Sequence, residues 1–404
     1  VPKPSRPKTF SVMAKPVGAA CNLGCAYCYY LEKGELLQQG ASPLMSDEVL
    51  EAFIRSYIES SPFESVAFAW QGGEPTLAGL DFFQRVVQLQ RRHAFGKRVS
   101  NSLQTNGTLI DGEWARFLAE NRFLVGLSVD GPERLHNAHR LDKSGAGSYA
   151  RTMRGLEQLL RYGVGVNALT VVSKANSSYA LEIYEHHKSI GLNFMQFIPL
   201  VERVLPQGSL ATPFSDGDAV VAPWSVVPEH YGTFLVGLFD EWVRKDVGRV
   251  FVQLFDVALN AWMGYDPPLC WFSESCGNAL VIEHNGDVYS CDHFVYPECL
   301  LGNIKTASLP SLALCDKQLD FGNKKALLPQ YCEKCAVRFA CNGECPKRRF
   351  AKSPSGEFGV NYLCPAYKRF YRHIDPYMRR MAKHLRSGRP AAHIMVDIAS
   401  GRPL

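Results

Sequence analysis

The apolar residues of the first two hundred positions come in short blocks separated by amphipathic stretches. Blocks at 10–17, 65–70, 99–104, 123–129, 164–172 and 193–200 have the length and the β-branched and aromatic content of strands. Between them, 80–94, 111–120, 148–162 and 177–190 carry apolar residues at helical spacing. Ser46-Asp47-Glu48 opens a further helix with a capping hydroxyl and two first-turn acids. Strand and helix taking turns means parallel βα units, and strands apolar on both faces belong inside such a sheet. Six units predict an α/β fold, a partial (β/α)6 TIM-like barrel, with functional residues at the C-terminal ends of its strands.

Beyond residue 213 the pattern changes. Residues 214–228, rich in Pro, Asp and Ala, read as a connection, and 229–245 and 252–263 have helical periodicity. Blocks at 279–283 and 287–291 flank His284-Asn285-Gly286 and predict a β-hairpin closed by an Asn-Gly type I′ turn. The expected organisation is a barrel (1–213), a linker with bridging helices (214–269), a cysteine-rich domain (270–385) and a basic tail (386–404).

Composition narrows the class. Hydrophobic residues make up 46% and charged residues 21% of the 404, as in an ordinary globular enzyme. No apolar run is long enough to span a bilayer, and Val1-Pro2-Lys3-Pro4 opens without the apolar core of a signal peptide, so a cytoplasmic location is expected. The net charge of +5 is too small to imply nucleic-acid binding, but it is unevenly placed. Between 345 and 390, twelve Lys/Arg stand against Glu357 and Asp375. That run is either a solvated helix face or a docking surface for an acidic partner such as a flavodoxin-type electron donor.

The thirteen cysteines carry the chemistry. A reducing compartment and an odd count both argue against a disulfide framework, and none lies between Cys28 and Cys270. Cys21, Cys25 and Cys28 form a Cys-x3-Cys-x2-Cys run kept compact by Gly24. A 4Fe–4S cluster normally takes four cysteines, so three leave one iron open, and an open position is where substrate or cofactor binds. A zinc knuckle lacking its fourth ligand, or three neighbouring thiols, is the alternative. Gln71-Gly72-Gly73-Glu74-Pro75 follows the second strand. Its glycines let a ligand near the backbone and Glu74 suits an ammonium group, or the segment is a tight turn with a capping Glu. Thr105-Asn106-Gly107-Thr108, Ser128, Asp130, Gly131 and Arg140 follow later strands around the same mouth, and His136 and His139 read as structural. An Arg suits a carboxylate through its planar fork. Further on, Cys332-x2-Cys335-x5-Cys341-x3-Cys345, with Cys364 beyond and Cys270, Cys276 and Cys291 before, reads as a zinc ribbon or as two four-cysteine sites once Cys299 and Cys315 are set aside.

The 21–28 run resembles the signature of radical S-adenosylmethionine (SAM) enzymes, and the later spacing resembles their twin-cluster SPASM iron–sulfur domain. Across roughly 10–370 the chain is similar to the anaerobic sulfatase-maturating enzymes, through Lys15-Pro16, the run 21–30 and the strings WQGGEPTLAG (70–79), NSLQTNGTLI (101–110), VGLSVDGP (125–132) and VYSCDH (288–293). The resemblance implies SAM and three 4Fe–4S clusters. The first takes Cys21, Cys25 and Cys28, the first auxiliary one Cys270, Cys276, Cys291 and Cys345, and the second Cys332, Cys335, Cys341 and Cys364. It gives SAM to Tyr27, Gln71, Gly72, Gly73, Glu74, Ser128, Arg140 and Val201, with Gln196 beside them.

The implied reaction oxidises one Cys or Ser of a sulfatase polypeptide, in a Cys/Ser-x-Pro-x-Arg motif, to Cα-formylglycine through a 5′-deoxyadenosyl radical. Asp292 takes the base position, or caps the hairpin, and Tyr30 resembles an aromatic near the substrate. Two other readings stay open. One is a different SPASM peptide maturase, forming thioether cross-links. The other is a non-catalytic iron–sulfur electron carrier, which leaves the 71–75 motif without a purpose.

Overall fold

The computed structural model describes residues 9–30, 32–34, 43–215 and 217–401. In chain order the elements that matter are β1 (Ser11–Lys15), α1 (Asp47–Ser60), β2 (Ser65–Trp70), α2 (Leu80–His93), β3 (Arg98–Thr105), α3 (Gly112–Glu120), β4 (Leu124–Ser128), α4 (Tyr149–Arg161), β5 (Gly165–Val172), α5 (Ala180–Ser189), β6 (Phe194–Pro199), α6 (Pro228–Lys245), β7 (Phe251–Val252), α7 (Gln253–Met263), β8 (Ala279–Glu283), β9 (Asp287–Tyr289), β10 (Leu300–Asn303) and α8 (Cys364–Arg386). The fold is mixed α/β with a parallel-sheet core. The six expected barrel strands are present, each ending within two residues of its predicted bounds. Helix starts follow local chemistry: Ser46 accepts from the Val49 N–H, and Asp111 from those of Glu113 and Trp114.

Two compact units interleave along the chain. One comprises 1–128, 137–166 and 275–324, the other 129–136, 167–274 and 325–404. In the first, β1 to β4 pair in parallel in chain order, and β8 adds to the open edge of β1, also in parallel. That pairing sets Lys15 opposite Glu283 at the strand ends. The core beneath is aromatic. Phe68 stacks along Trp70 at 6.0 Å, Phe53 meets both edge-on, and Trp70 Nε1 donates to Asn101, which exchanges two 2.8 Å hydrogen bonds with Gln90. A buried indole with its N–H satisfied contributes its full apolar area without a desolvation penalty.

The hairpin differs from the expected turn. Ile282 pairs with Val288, Gly286 N–H donates to Glu283 O, and Gly286 has φ +90°, whereas Asn285 keeps a negative φ. A type I′ turn needs positive φ at both central residues. A three-residue loop with one left-handed glycine closes this hairpin instead, and Asn285 Oδ1 accepts from the Asp287 N–H. The second strand also stops at Tyr289, which leaves Cys291 in the following loop, and β10 pairs antiparallel with β9 as a third strand.

In the second unit β5, β6 and β7 pair in parallel. The long α8 buries Tyr367, Phe370, Tyr371, Ile374 and Met378, a three-and-four spacing that lies along α6. A Cβ at Gly232 of α6 would sit 3.2 Å from the Ala366 Cα, so that glycine sets how closely the two helices approach. No helix among the described residues is long and apolar enough to cross a membrane.

Candidate active site

The 21–28 loop leaves the first unit at the end of β1 and is pinned by backbone bonds, Gly24 N–H to Leu141 O at 2.8 Å and Ala26 N–H to His139 O at 3.1 Å. Cys21, Cys25 and Cys28 are each half-buried. The Leu23 N–H donates to Cys21 Sγ at 3.4 Å. Burial pushes the Cys21 thiol up to about 11 against that hydrogen bond, so ionised sulfur here calls for a cation to hold it. An open three-thiolate set with N–H donors on sulfur fits an iron–sulfur cluster.

The 71–75 segment is built against this loop. Gly73 N–H donates to Gly18 O and Glu74 N–H to Ala20 O, both at 2.8 Å. A Cβ on Gly73 would lie 2.1 Å from the Ala20 carbonyl oxygen, and Gly72 has φ +137° with the Gly18 oxygen 2.8 Å from its would-be Cβ. The glycines are thus required by the contact of one loop with the other. The buried Glu74 carboxylate accepts from the Thr76 N–H (3.1 Å), the Thr76 and Thr105 hydroxyls (2.6 and 2.7 Å) and the Asn106 N–H (2.7 Å). Burial raises its pKa and these donors oppose the rise. Asn106 continues the chain of contacts to Asn22 at 2.8 Å and reaches Cys21 Sγ at 3.9 Å.

Of the residues expected to hold SAM, Tyr27, Gln71, Gly72, Gly73, Glu74, Ser128 and Arg140 share the first unit; Val201, buried after β6, belongs to the second. Ser128 ends β4, and the buried Arg140 guanidinium lies 5.6 Å from the Tyr27 ring centroid, with His139 edge-on to that ring at 5.4 Å. His136 is fully buried and accepts from the Asp130 N–H, a structural contact.

Lys15 is the residue that sequence reasoning left unassigned. Its ammonium, at the end of β1 and 1% exposed, forms a 2.5 Å ion pair with Asp292 Oδ1, donates to Gln71 Oε1 at 3.5 Å and lies 4.4 Å from the centroid of the Tyr30 ring. Tyr29 donates to Asp292 Oδ2 at 2.7 Å, and Tyr30 to the fully buried Glu283, the register partner of Lys15. Val281, Tyr289 and Val295 pack around Tyr30. Burial pushes the Asp292 carboxyl up, but the Lys15 ammonium, His293 and the two hydrogen bonds together hold it at about 2. The signal available in the sequence was a lysine closing an otherwise apolar strand.

In the second unit, Cys332, Cys335, Cys341 and Cys364 line one cavity with Tyr331, Val337, Asn361 and Tyr367. An all-sulfur donor set in a mostly apolar enclosure fits a four-cysteine cluster. Of the other predicted ligands, Cys276 and Cys291 lie in the first unit and Cys270 and Cys345 in the second. No group of three or more His, Cys, Asp or Glu among the described residues is gathered tightly enough to hold a single metal ion.

Comparison with known proteins connects these features. Residues 16–186 match the radical SAM superfamily, and 270–336 match the SPASM iron–sulfur cluster-binding domain. The chain is 44% identical over 398 residues to a serine-type anaerobic sulfatase-maturating enzyme of Bacteroides thetaiotaomicron, covering 98% of this chain and 96% of that one. The chain belongs to the anaerobic sulfatase-maturating enzymes. A cysteine-type member of the family from Clostridium perfringens is 34% identical over 93% of this chain and 99% of its own length. A solved structure of a maturating enzyme, anSMEcpe with AdoMet and the Cp18Cys peptide bound, superposes with a TM-score of 0.82 at 34% identity, covering 93% of this chain and 99% of that one. The site described above is therefore that of a sulfatase-maturating radical SAM enzyme.

Proposed function

We propose that this enzyme oxidises the Cys or Ser of a Cys/Ser-x-Pro-x-Arg motif in a sulfatase polypeptide to Cα-formylglycine, with SAM and three 4Fe–4S clusters as cofactors and a flavodoxin-type protein as electron donor, in the cytoplasm. Near-full-length kinship with enzymes named for sulfatase maturation carries the reading. When bound, the N-terminal cluster and SAM supply a 5′-deoxyadenosyl radical that takes a hydrogen atom from the substrate Cβ.

The chain's own residues do the rest. Cys21, Cys25 and Cys28 hold the first cluster, Cys270, Cys276, Cys291 and Cys345 the first auxiliary one, and Cys332, Cys335, Cys341 and Cys364 the second. Arg140 offers its fork to the SAM carboxylate, Ser128 and Val201 complete that pocket, and Tyr27 packs beside Arg140. Gly72 and Gly73 present peptide groups to the SAM amino end from a position fixed by Glu74. Asp292 is the base that accepts the thiol or hydroxyl proton. It is ionised at neutral pH and keeps 18% of its side chain exposed, so a substrate hydrogen can reach it. Lys15 is a positioning residue, setting Asp292 and Gln71 from one ammonium while its stem crosses Tyr30.

The test is anaerobic incubation of the reconstituted enzyme with SAM, dithionite and a peptide carrying the motif. The expected products are 5′-deoxyadenosine and an aldehyde-bearing peptide. A cross-linked peptide without aldehyde would assign the chain to thioether chemistry, and no 5′-deoxyadenosine would remove radical chemistry altogether.

A further inference from the structure

The twelve cations between 345 and 390 are not equivalent once placed in the fold. Lys347 pairs with Glu202 at 2.6 Å, Arg348 with the buried Glu344 at 2.5 Å, and Arg349 is used on main-chain carbonyls including Asn342 and Lys325. Toward the end of α8, Arg379 pairs with Asp375, Arg380 with Asp397, and Arg386 donates to the Trp262 carbonyl. These charges are spent inside the second unit.

Four others gather around one open groove of about 890 Å³: Lys352, Lys368, Arg369 and Arg372. Among the described residues none of them takes a carboxylate partner. Lys368 donates to the Tyr331 hydroxyl and lies over its ring, and Arg369 donates to Thr233. The acid close in sequence, Glu357, is occupied by the N–H groups of Gln330 and Tyr331. Lys352, Arg369 and Arg372 are exposed. The groove also shares Tyr331, Asn361, Cys364 and Lys368 with the cavity lined by the four cysteines. Its floor is therefore the outer wall of that cavity.

We propose that this groove is the docking site of a small acidic electron-carrier protein of the flavodoxin type, whose carboxylate rim meets the four cations and whose prosthetic group faces the Cys364 wall. The inference rests on the reading above that the four cysteines hold an auxiliary cluster. Concentrated, unneutralised charge around a concave surface is what steers an oppositely charged protein and fixes its orientation. A nucleic acid would need a longer basic track than four residues at one groove supply.

The test titrates an oxidised bacterial flavodoxin into the reconstituted holoenzyme, reading Kd by calorimetry across a salt series. The groove variant is Lys352→Glu/Arg369→Glu/Arg372→Glu, and the control is Lys383→Glu/Arg389→Glu. Lys383 lies about 22 Å along α8 from Lys368, beyond the Debye length of about 10 Å at 0.1 M salt. The groove variant should weaken binding by about 10-fold or more and flatten its salt dependence, whereas the control should shift Kd by less than about 2-fold. Equal effects of the two variants, an unchanged Kd in the groove variant, or no binding by the unaltered enzyme would overturn the proposal. So would loss of substrate-peptide binding in the groove variant with flavodoxin binding intact, which would give the groove to the substrate. Dithionite-driven 5′-deoxyadenosine formation by the unaltered enzyme separates the two layers: its absence removes the functional reading, whereas its presence with failed flavodoxin binding removes only the docking site.

Discussion

Two regions of the first unit each place a buried carboxylate after a strand, and they treat it in opposite ways. After β2, Glu74 is ringed by neutral donors from Thr76, Thr105 and Asn106, and burial raises its pKa. After the hairpin, Asp292 faces the Lys15 ammonium and the Tyr29 hydroxyl and is held at about 2. The lone pairs of Glu74 are committed to the chain, so it builds the mouth by tying the 71–75, 105–108 and 21–28 loops together. Asp292 is kept charged by a cation and remains partly exposed, which suits proton transfer. Burial alone does not mark a catalytic acid; the nature of its partners does.

The sharpest way to break this contrast is Lys15→Met. It removes the cation from Asp292, Gln71 and Tyr30 at once, and breaking a buried pair on one side costs about 3–5 kcal/mol. We expect formylglycine formation to fall by about 100-fold or more, with a lowered melting temperature. The double variant Lys15→Met/Asp292→Asn should recover much of that stability, because no unpaired charge is left behind. A double variant less stable than the single one would show that the pair is not a coupled unit.

Glu74→Gln is expected to have the next largest effect, and on stability. An amide presents hydrogens where three side chains and main-chain groups already donate, leaving at least one buried donor unmatched at a cost of about 1–3 kcal/mol. Thermal unfolding should register that loss, while the formylglycine formed per 5′-deoxyadenosine stays as in the unaltered enzyme. An unchanged melting temperature would contradict the structural role. Tyr29→Phe is the mildest of the series. It deletes one of the two partners of Asp292 and leaves Lys15 in place, so steady-state turnover should fall by no more than about 10-fold. A loss as large as that of Lys15→Met would mean that the hydroxyl, not the ammonium, sets the base.

The legible parts of the molecule were those encoded locally. Strand blocks such as 65–70 and the Cys21–Cys28 spacing need only neighbouring residues, and both stand where the pattern put them. The role of Glu74 was legible only as two alternatives, cap or ammonium partner, because its donors from Thr105 and Asn106 come from another strand end. Least legible was the pairing of β8 with β1. It joins Ser11–Lys15 to Ala279–Glu283 across more than two hundred and sixty residues, and no periodicity reports a partner at that distance. Lys15, Glu283 and the geometry around Asp292 all depend on it. The turn at Asn285-Gly286 was misjudged in type for a smaller reason, since a dipeptide preference does not count the loop residues.

The central claim is that one site starts a radical and a neighbouring carboxylate lets the substrate use it. The amounts of formylglycine and 5′-deoxyadenosine formed by Asp292→Asn, compared under anaerobic conditions with those of the unaltered enzyme, test it most directly. The account predicts that 5′-deoxyadenosine persists while formylglycine all but disappears. Formylglycine formed in the same proportion as in the unaltered enzyme would contradict it.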